Sequence, residues 1–301
     1  MVLTNNIKPL ISVIVNCKNG EKYLKNCIDS IINQTYTNWE IIFWDNISTD
    51  NSKKILDQFK DSRIKYFKSE EATKLYKARN LAIKKTKGDY IAFLDVDDWW
   101  LPEKLKIQVE FMTNNKDVSM VHSNFHVFKE KNNKKKIFSA APLPQGNITQ
   151  KLLNNYQIGI LTVLIKKELF QKYQFDDSLE IIGDFDLFLK ISKSIKVGCI
   201  QKSLACVRIH KSNLSLIKTE DFIDELSYWL RNKEDSQIFK GLSFQGVIIN
   251  LQCQKIKKLI LNSKRVKALL QIIKSPISIR KLKFIFFLIL PLKIIREKFE
   301  L

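Results

Sequence analysis

YIAFLDVDDWW, residues 90–100, starts as an apolar run and ends in three carboxylates, Asp95, Asp97 and Asp98, with Trp99 and Trp100 directly behind them. The run reads as a buried strand, and the carboxylates fall at its tip. An Asp after a strand is often only a turn former or a helix cap, and Asp97 or Asp98 is placed to cap a helix beginning near Pro102. A cluster asks for more. Side chains alternate along a strand, so Asp95 and Asp97 point to one side. Two carboxylates on one side of a dry sheet edge repel unless a cation lies between them. Hard divalent ions such as Mg²⁺ and Mn²⁺ take carboxylate oxygens and bridge to phosphate.

Upstream, the pattern repeats. Ile11 to Val15 is an unbroken apolar run of the kind found in parallel sheets. Asn19-Gly20 turns the chain, and Tyr23, Leu24, Cys27, Ile28, Ile31 and Ile32 recur at helical spacing. Trp39 to Trp44 is a second strand ending in Asp45. Thr49 or Asp50 can cap the helix that carries Ile55, Leu56 and Phe59. Arg63 to Phe67 is a short strand, and Leu75 to Lys85 is a helix ended by Gly88. Strand and helix alternating in this way predict βαβ units and a doubly wound α/β sheet. Ligands of such sheets lie at the carboxyl ends of the strands. Asn16, Asp45 and Asp95 all fall there and should converge on one crevice.

The middle of the chain is less regular. Lys129 to Lys136 reads as a charged hairpin tip, MVHSNFHVF (120–128) and Ile158 to Ile165 as strands, and residues 178–193 as a loop entering a helix with Leu187, Phe188 and Ile191 buried. His122 and His126 lie four apart, which would suit metal ligands on a helix, but the strand reading argues against that.

Of 301 residues, 51 are Lys or Arg and 31 are Asp or Glu, a formal net charge of +20. Residues 251–301 hold 13 basic against 2 acidic residues, a surplus of 11. This segment reads as basic amphipathic helices broken at Pro276 and Pro291. Cations mixed with large apolar groups suit an anionic membrane surface, or packing on the rest of the chain or on a second subunit. The segment is too apolar for a simple phosphate-binding arm, so no nucleic-acid partner is expected. Its longest apolar run, FIFFLILPL (284–292), is about half of the roughly 20 residues that span a bilayer. The five cysteines form no CxxC pair, which argues against a disulfide framework or zinc knuckle. MVLTNNIKPL lacks the basic and apolar regions of a signal peptide. A cytosolic protein with reduced thiols is expected.

Three stretches carry a resemblance: ISVIVNCKNGEKYLKNCIDSI (11–31), WEIIFWDNISTDNS (39–52) and KARNLAIKKTKGDYIAFLDVDD (77–98). In order and spacing they resemble the family-2 glycosyltransferases of the GT-A fold. IIGDFDLFLKIS (181–192) looks like the family's acidic loop, and VRIHKSNLS (207–215) like its late His motif. The resemblance implies a GT-A catalytic domain over residues 1–215, with a nucleotide-sugar half to about residue 110 and an acceptor half beyond it. Residues 216–301 would form the helical basic extension.

It also implies roles for matching positions. Asp45 would hydrogen-bond the nucleotide base, and Asn16 would line the base pocket. Arg79 would reach the base or the diphosphate, and Asp95 would lie near the ribose. Asp97 would bind Mn²⁺ or Mg²⁺, with His210 closing over the metal or the diphosphate. Asp184 falls where the family carries its catalytic base, and Asp186 is the rival. Trp99, Trp100 and Asp186 are the candidates for acceptor contacts, although both tryptophans also read as packing residues. Two departures stand out. Gly183 occupies the place of a frequent Glu, and Leu75, Tyr76 and Lys77 replace a segment that often contains Gly.

The implied activity is inverting transfer of a hexosyl or N-acetylhexosaminyl group. The donor would be a nucleotide-sugar, most simply a UDP-sugar. The acceptor would be a hydroxyl of a glycan or lipid-linked intermediate in cell-surface polysaccharide synthesis, lipopolysaccharide included. The enzyme would work in the cytoplasm, peripheral to the inner face of the membrane; a homo-oligomer is left open. Two alternatives remain. A metal-dependent nucleotidyltransferase should carry a Gly-rich, Lys-containing phosphate loop after the first strand, where this chain has NCKNGEKYL. A non-catalytic membrane-surface or nucleic-acid-binding protein would have no use for Asp97 and Asp184.

Overall fold

The computed structural model describes residues 8–233, 236–275, 279–291 and 294–295. The chain divides into two compact units. One comprises Met1–Thr149 and Gln157–Arg208, the other Gln150–Tyr156 and Ile209–Leu301. The short segment 150–156, expected in the acceptor half, thus clusters with the second unit.

The first unit is built on one sheet. β1 (Ile11–Cys17), β2 (Trp39–Asp45), β3 (Ile64–Lys68) and β4 (Tyr90–Phe93) alternate with α1 (Glu21–Ile32), α2 (Ser52–Leu56) and α3 (Leu75–Ile83). Then follow β5 (Trp99–Trp100), α4 (Lys104–Asn114), β6 (Val118–Lys129), β7 (Lys134–Ile137), α5 (Thr149–Asn154, which clusters with the second unit), β8 (Leu164–Lys166), α6 (Leu169–Lys172), α7 (Gly183–Ser194) and β9 (Lys196–Ile209). The strand order is β3-β2-β1-β4-β8-β6-β9-β5, with β7 paired to β6. β3, β2, β1 and β4 pair in parallel. β8 pairs antiparallel with both β4 and β6, as β5 does with β9.

The doubly wound expectation holds for the first four strands, and the sheet is then extended by antiparallel strands. β1 and β2 are buried along their whole length, as continuous apolar runs covered on both faces should be. The β6–β7 hairpin places Lys134–Ile137 in solvent, as its charge suggests. α7 buries Leu187, Phe188 and Ile191.

Two local readings change, and two gain detail. Residues 158–165 do not form one strand: Ile160–Thr162 is a 3₁₀ turn, and β8 starts only at Leu164. Neither Asp97 nor Asp98 caps α4, whose N-cap is Glu103 without a side-chain bond. At the Asn19-Gly20 turn the left-handed residue is Asn19, φ 57°; Gly20 is needed instead for close approach, since a Cβ there would lie 2.7 Å from Val96 Cγ2. The basic segment also breaks once without proline, at Ser263, φ 61°.

The second unit contains α8 (Leu214–Ile217), α9 (Thr219–Lys233), α10 (Gln245–Leu261), α11 (Arg265–Lys274) and α12 (Ile279–Ile289). Ile256, Ile260, Ala268, Ile272, Phe284, Phe287 and Ile295 form its core. α12 ends just before Pro291, as expected, whereas the break expected at Pro276 lies outside the described residues. Among the described residues no helix is long and apolar enough to cross a membrane.

Candidate active site

Parallel pairing brings the strand-end residues together. Asn16 lies opposite Trp44 and Cys17 opposite Asp45, while Ile14 pairs with Phe93, two residues before Asp95. The carboxyl ends of β1, β2 and β4 therefore share one rim. Asp45 is buried; Oδ1 accepts the Ser48 N–H at 2.8 Å and Oδ2 the Tyr66 hydroxyl at 2.8 Å. Asn16 is 8% exposed, and its Nδ2 has no hydrogen-bond partner. An unpaired buried amide is costly, so this N–H suits an acceptor atom on a ligand.

The three aspartates after β4 have separate surroundings. The carboxylate of Asp95 is about one-third exposed and accepts from Arg79 Nη2 at 2.6 Å. Asp97 is half-buried. Asp98 is buried and accepts the Arg208 N–H at 2.8 Å. Burial, and then the charges of Asp97 and Asp95, push the Asp98 carboxyl well above the usual range.

α3 links this rim to the acidic start of α7. Arg79 is almost wholly buried. Burial works against its charge, and Asp95, Tyr76 and Asp184 outweigh it, so the guanidinium is held above its ordinary value. Its Cζ lies 5.1 Å from the Tyr76 ring centre, and the Tyr76 ring stacks on Phe175 at 5.1 Å. The Tyr76 hydroxyl donates within reach of two oxygens, Asp184 Oδ1 at 3.0 Å and Ile181 O at 3.1 Å. Burial, then the charge of Asp184, pushes the phenol well up and keeps it a donor. Further bonds tie α3 to the loop before α7. Asn80 Nδ2 donates to Phe175 O at 2.9 Å, Asn80 Oδ1 accepts the Phe175 N–H at 3.1 Å, and Glu180 Oε2 accepts the Leu75 N–H at 2.9 Å.

Asp184 and Asp186 both lie in the first turn of α7, where the helix dipole favours negative charge. Their surroundings differ. Asp186 is wholly buried and ion-paired at 2.5 Å with Lys190, one turn on. Trp100 is 2% exposed, and its indole N–H donates to Leu161 O at 2.9 Å. Asp186 and Trp100 therefore present no surface to an acceptor, which corrects their candidacy; both serve packing. Trp99 is half-buried, edge-on to Phe128 at 5.7 Å. His210 belongs to the second unit, where its N–H donates to Asn213 Oδ1 at 2.5 Å and its Nδ1 accepts the Ser212 N–H at 3.2 Å.

Sequence reasoning missed two residues. Tyr76 stood out only as a departure from the family pattern. Arg208 lies inside the quoted VRIH, yet nothing local shows that its Nε donates to Asp97 O at 2.9 Å, or that its Cζ lies 4.6 Å from the Trp99 ring centre and 4.8 Å from that of Tyr23. It staples the aspartate turn to β9.

Asp97 supplies the hard oxygen that Mn²⁺ or Mg²⁺ prefers, beside carboxylates whose repulsion a cation would relieve. Among the described residues no group of three or more His, Cys, Asp or Glu could hold a metal ion alone. A cation at Asp97 would have to fill its shell with substrate oxygens and water. The residues fit a metal shared with a diphosphate, and not a closed protein cage. The cysteines are all free; burial pushes the Cys199 and Cys206 thiols up to about 12, which does not suit a nucleophile.

The family model for glycosyl transferase family 2 matches residues 12–173, more than half of the chain. The chain belongs to glycosyltransferase family 2. Among its relatives, the Escherichia coli UDP-Glc:alpha-D-GlcNAc-diphosphoundecaprenol beta-1,3-glucosyltransferase WfgD is 34% identical over 207 residues, 69% of this chain and 79% of that one. Two solved glycosyltransferases share the fold. S. aureus TarS 1–349 in complex with UDP-GlcNAc has TM-score 0.61 at 17% identity, covering 85% of this chain and 75% of that one. The Pyrobaculum calidifontis mannosyltransferase PcManGT in complex with GDP-Man and Mn²⁺ has TM-score 0.60 at 14% identity, covering 93% and 79%. This glycosyltransferase therefore has the GT-A fold, and its relatives place it among polysaccharide-synthesis enzymes.

Proposed function

We propose that this glycosyltransferase is an inverting, metal-dependent enzyme. It moves a hexosyl or N-acetylhexosaminyl group from a UDP-sugar to a hydroxyl of a lipid-diphosphate-linked glycan in cell-surface polysaccharide synthesis. The observation that carries the reading is the shared rim of Asn16, Asp45 and Asp95, with Asp97 two positions beyond Asp95, linked through α3 to a separate carboxylate, Asp184. WfgD, whose name states a UDP-sugar donor and a diphosphoundecaprenol acceptor, supports the choice of both substrates.

Each side chain has a task. Asp45, fixed by Ser48 and Tyr66, receives the nucleobase. The unpaired Asn16 amide donates to the bound nucleoside. Asp95 lies at the ribose, and Arg79 holds Asp95 in place while adding positive potential near the diphosphate. Bound at Asp97, Mn²⁺ or Mg²⁺ would neutralise charge building on the departing nucleoside diphosphate. Asp184 takes the acceptor hydroxyl's proton as that oxygen attacks the anomeric carbon, and the bond to the diphosphate breaks. Attack from the face opposite the leaving group inverts the centre and needs no enzyme nucleophile.

The second unit supplies the proposed membrane contact. α11 exposes Val266 (74%), Leu269, Leu270 and Ile273 (62%) as one stripe at helical spacing, while Ala268 and Ile272 enter the core. Arg265, Lys267 and Lys274 share this helix. A cationic helix with an apolar face suits an anionic bilayer surface, which would keep the enzyme peripheral on the cytoplasmic face.

The test is to incubate full-length protein with UDP-, GDP-, CMP- and dTDP-sugars, with Mn²⁺ or with EDTA, and to follow thermal shift and nucleotide release. Stabilisation and turnover with a UDP-sugar, lost in EDTA, are expected. Absence of any nucleotide-sugar response under every condition overturns the reading. Co-sedimentation with phosphatidylglycerol vesicles but not phosphatidylcholine vesicles tests the membrane contact.

A further inference from the structure

Gly183 is one departure from the family pattern and the Leu75-Tyr76-Lys77 segment the other, and Tyr76 of that segment lies against Gly183. A Cβ on Gly183 would lie 2.4 Å from Tyr76 Cδ2, 2.5 Å from Cγ and 2.6 Å from Cε2. The phenol ring fills the space that any side chain at position 183 would need. Its hydroxyl reaches Asp184 Oδ1 at 3.0 Å, a bond that spans 108 positions of sequence. The ring is itself clamped by Phe175 on one side and by Arg79 nearby. The loop that delivers Asp184 is fastened to the same helix by Asn80 and Leu75. The ring of Tyr76 thus fills the space beside Asp184 that a side chain at position 183 would need.

We infer that Tyr76 is a positioning residue for the transfer step. It orients the Asp184 carboxylate by a hydrogen bond from α3, in a slot that only glycine at position 183 leaves open. The inference rests on the reading of Asp184 as base. The phenol donates to Asp184 Oδ1 and restrains the carboxylate's rotation. The same helix carries Arg79, which fixes Asp95. α3 therefore sets the donor-side carboxylate and the proposed base with side chains one turn apart, Tyr76 and Arg79, so both are registered by a single rigid element.

The experiment uses full-length protein, Mn²⁺ and the UDP-sugar that wild type turns over, with Tyr76→Phe, Asp184→Asn and Asp186→Asn in parallel. Tyr76→Phe keeps the ring and removes only the donor. Its kcat is expected to fall by about ten- to a hundredfold, in line with loss of a bond to a charged group, with KM for the UDP-sugar unchanged within about twofold. A merely structural phenol would leave kcat alone once the variant is folded, as judged by its thermal midpoint. Wild-type kcat in folded Tyr76→Phe, with Asp184→Asn inactive, overturns the inference and leaves the base reading standing. Full turnover by Asp184→Asn, or loss only in Asp186→Asn, overturns the base reading and the inference together, as does absence of turnover by wild type.

Discussion

The turn after β4 and the first turn of α7 are both acidic clusters, written in similar letters, DVDD and GDFD, yet the fold treats them differently. After β4 three carboxylates lie within four positions, and burial, then the charges of Asp97 and Asp95, raise the carboxyl of Asp98. In α7 the two acids are two positions apart on a helix and point to different neighbours. Asp184 takes the Tyr76 hydroxyl, and Asp186 is sealed against Lys190. On the proposed function, the first arrangement makes a place for a cation, and in the second Asp184 is the base while Asp186 is a buried ion pair with Lys190.

The largest effects are expected from removing the acid to which the proposed function gives a task in each cluster. Asp97→Ala is expected to lower turnover at least about 1,000-fold and to abolish the metal-dependent thermal shift given by a UDP-sugar. Asp184→Asn should lower turnover about 100- to 10,000-fold while leaving that shift intact. If Asp184→Asn lost donor binding and Asp97→Ala kept it, the assignment of the two clusters would be reversed.

Asp186→Asn sharpens the contrast inside α7. It leaves Lys190 facing a neutral partner and should cost about 1–3 kcal/mol of stability in denaturant unfolding, with turnover per folded molecule close to wild type. A folded but inactive Asp186→Asn would move the chemistry from Asp184 to its neighbour.

A smaller effect is expected at the slot beside Asp184. Gly183→Ala drives a methyl into the Tyr76 ring and should cost about 1–3 kcal/mol, as overpacking does. In a Tyr76→Ala background the same substitution should cost far less. An equal cost in both backgrounds would show that the ring is not what excludes a side chain there.

Much of this was legible locally. Ile11 to Val15 and Trp39 to Trp44 announce buried parallel strands because covered faces leave no room for polar alternation. An Asp or Asn just past such a run is placed at the sheet's carboxyl edge by chain direction alone. The reading failed where short apolar runs were ambiguous. Ile158 to Ile165 carries β-like composition, but the chain makes a 3₁₀ turn before a strand that begins at Leu164. Asp98 looked like a helix cap until an N–H from β9 reached it.

The sequence by itself determined the alternating βαβ order, the convergence of Asn16, Asp45 and Asp95, the clustering of charge near Asp97 and the basic character of the last fifty or so residues. These follow from periodicity, chain direction and composition, each set by neighbours a few positions away. Only the tertiary structure decided that Arg79 is spent on Asp95, that Arg208 ties β9 to the aspartate turn, that Asp186 is sealed by Lys190 and that Tyr76 holds Asp184 through the space Gly183 leaves. Most of those contacts join residues far apart in sequence. Burial and distance, which no local pattern carries, choose among carboxylates that are chemically alike.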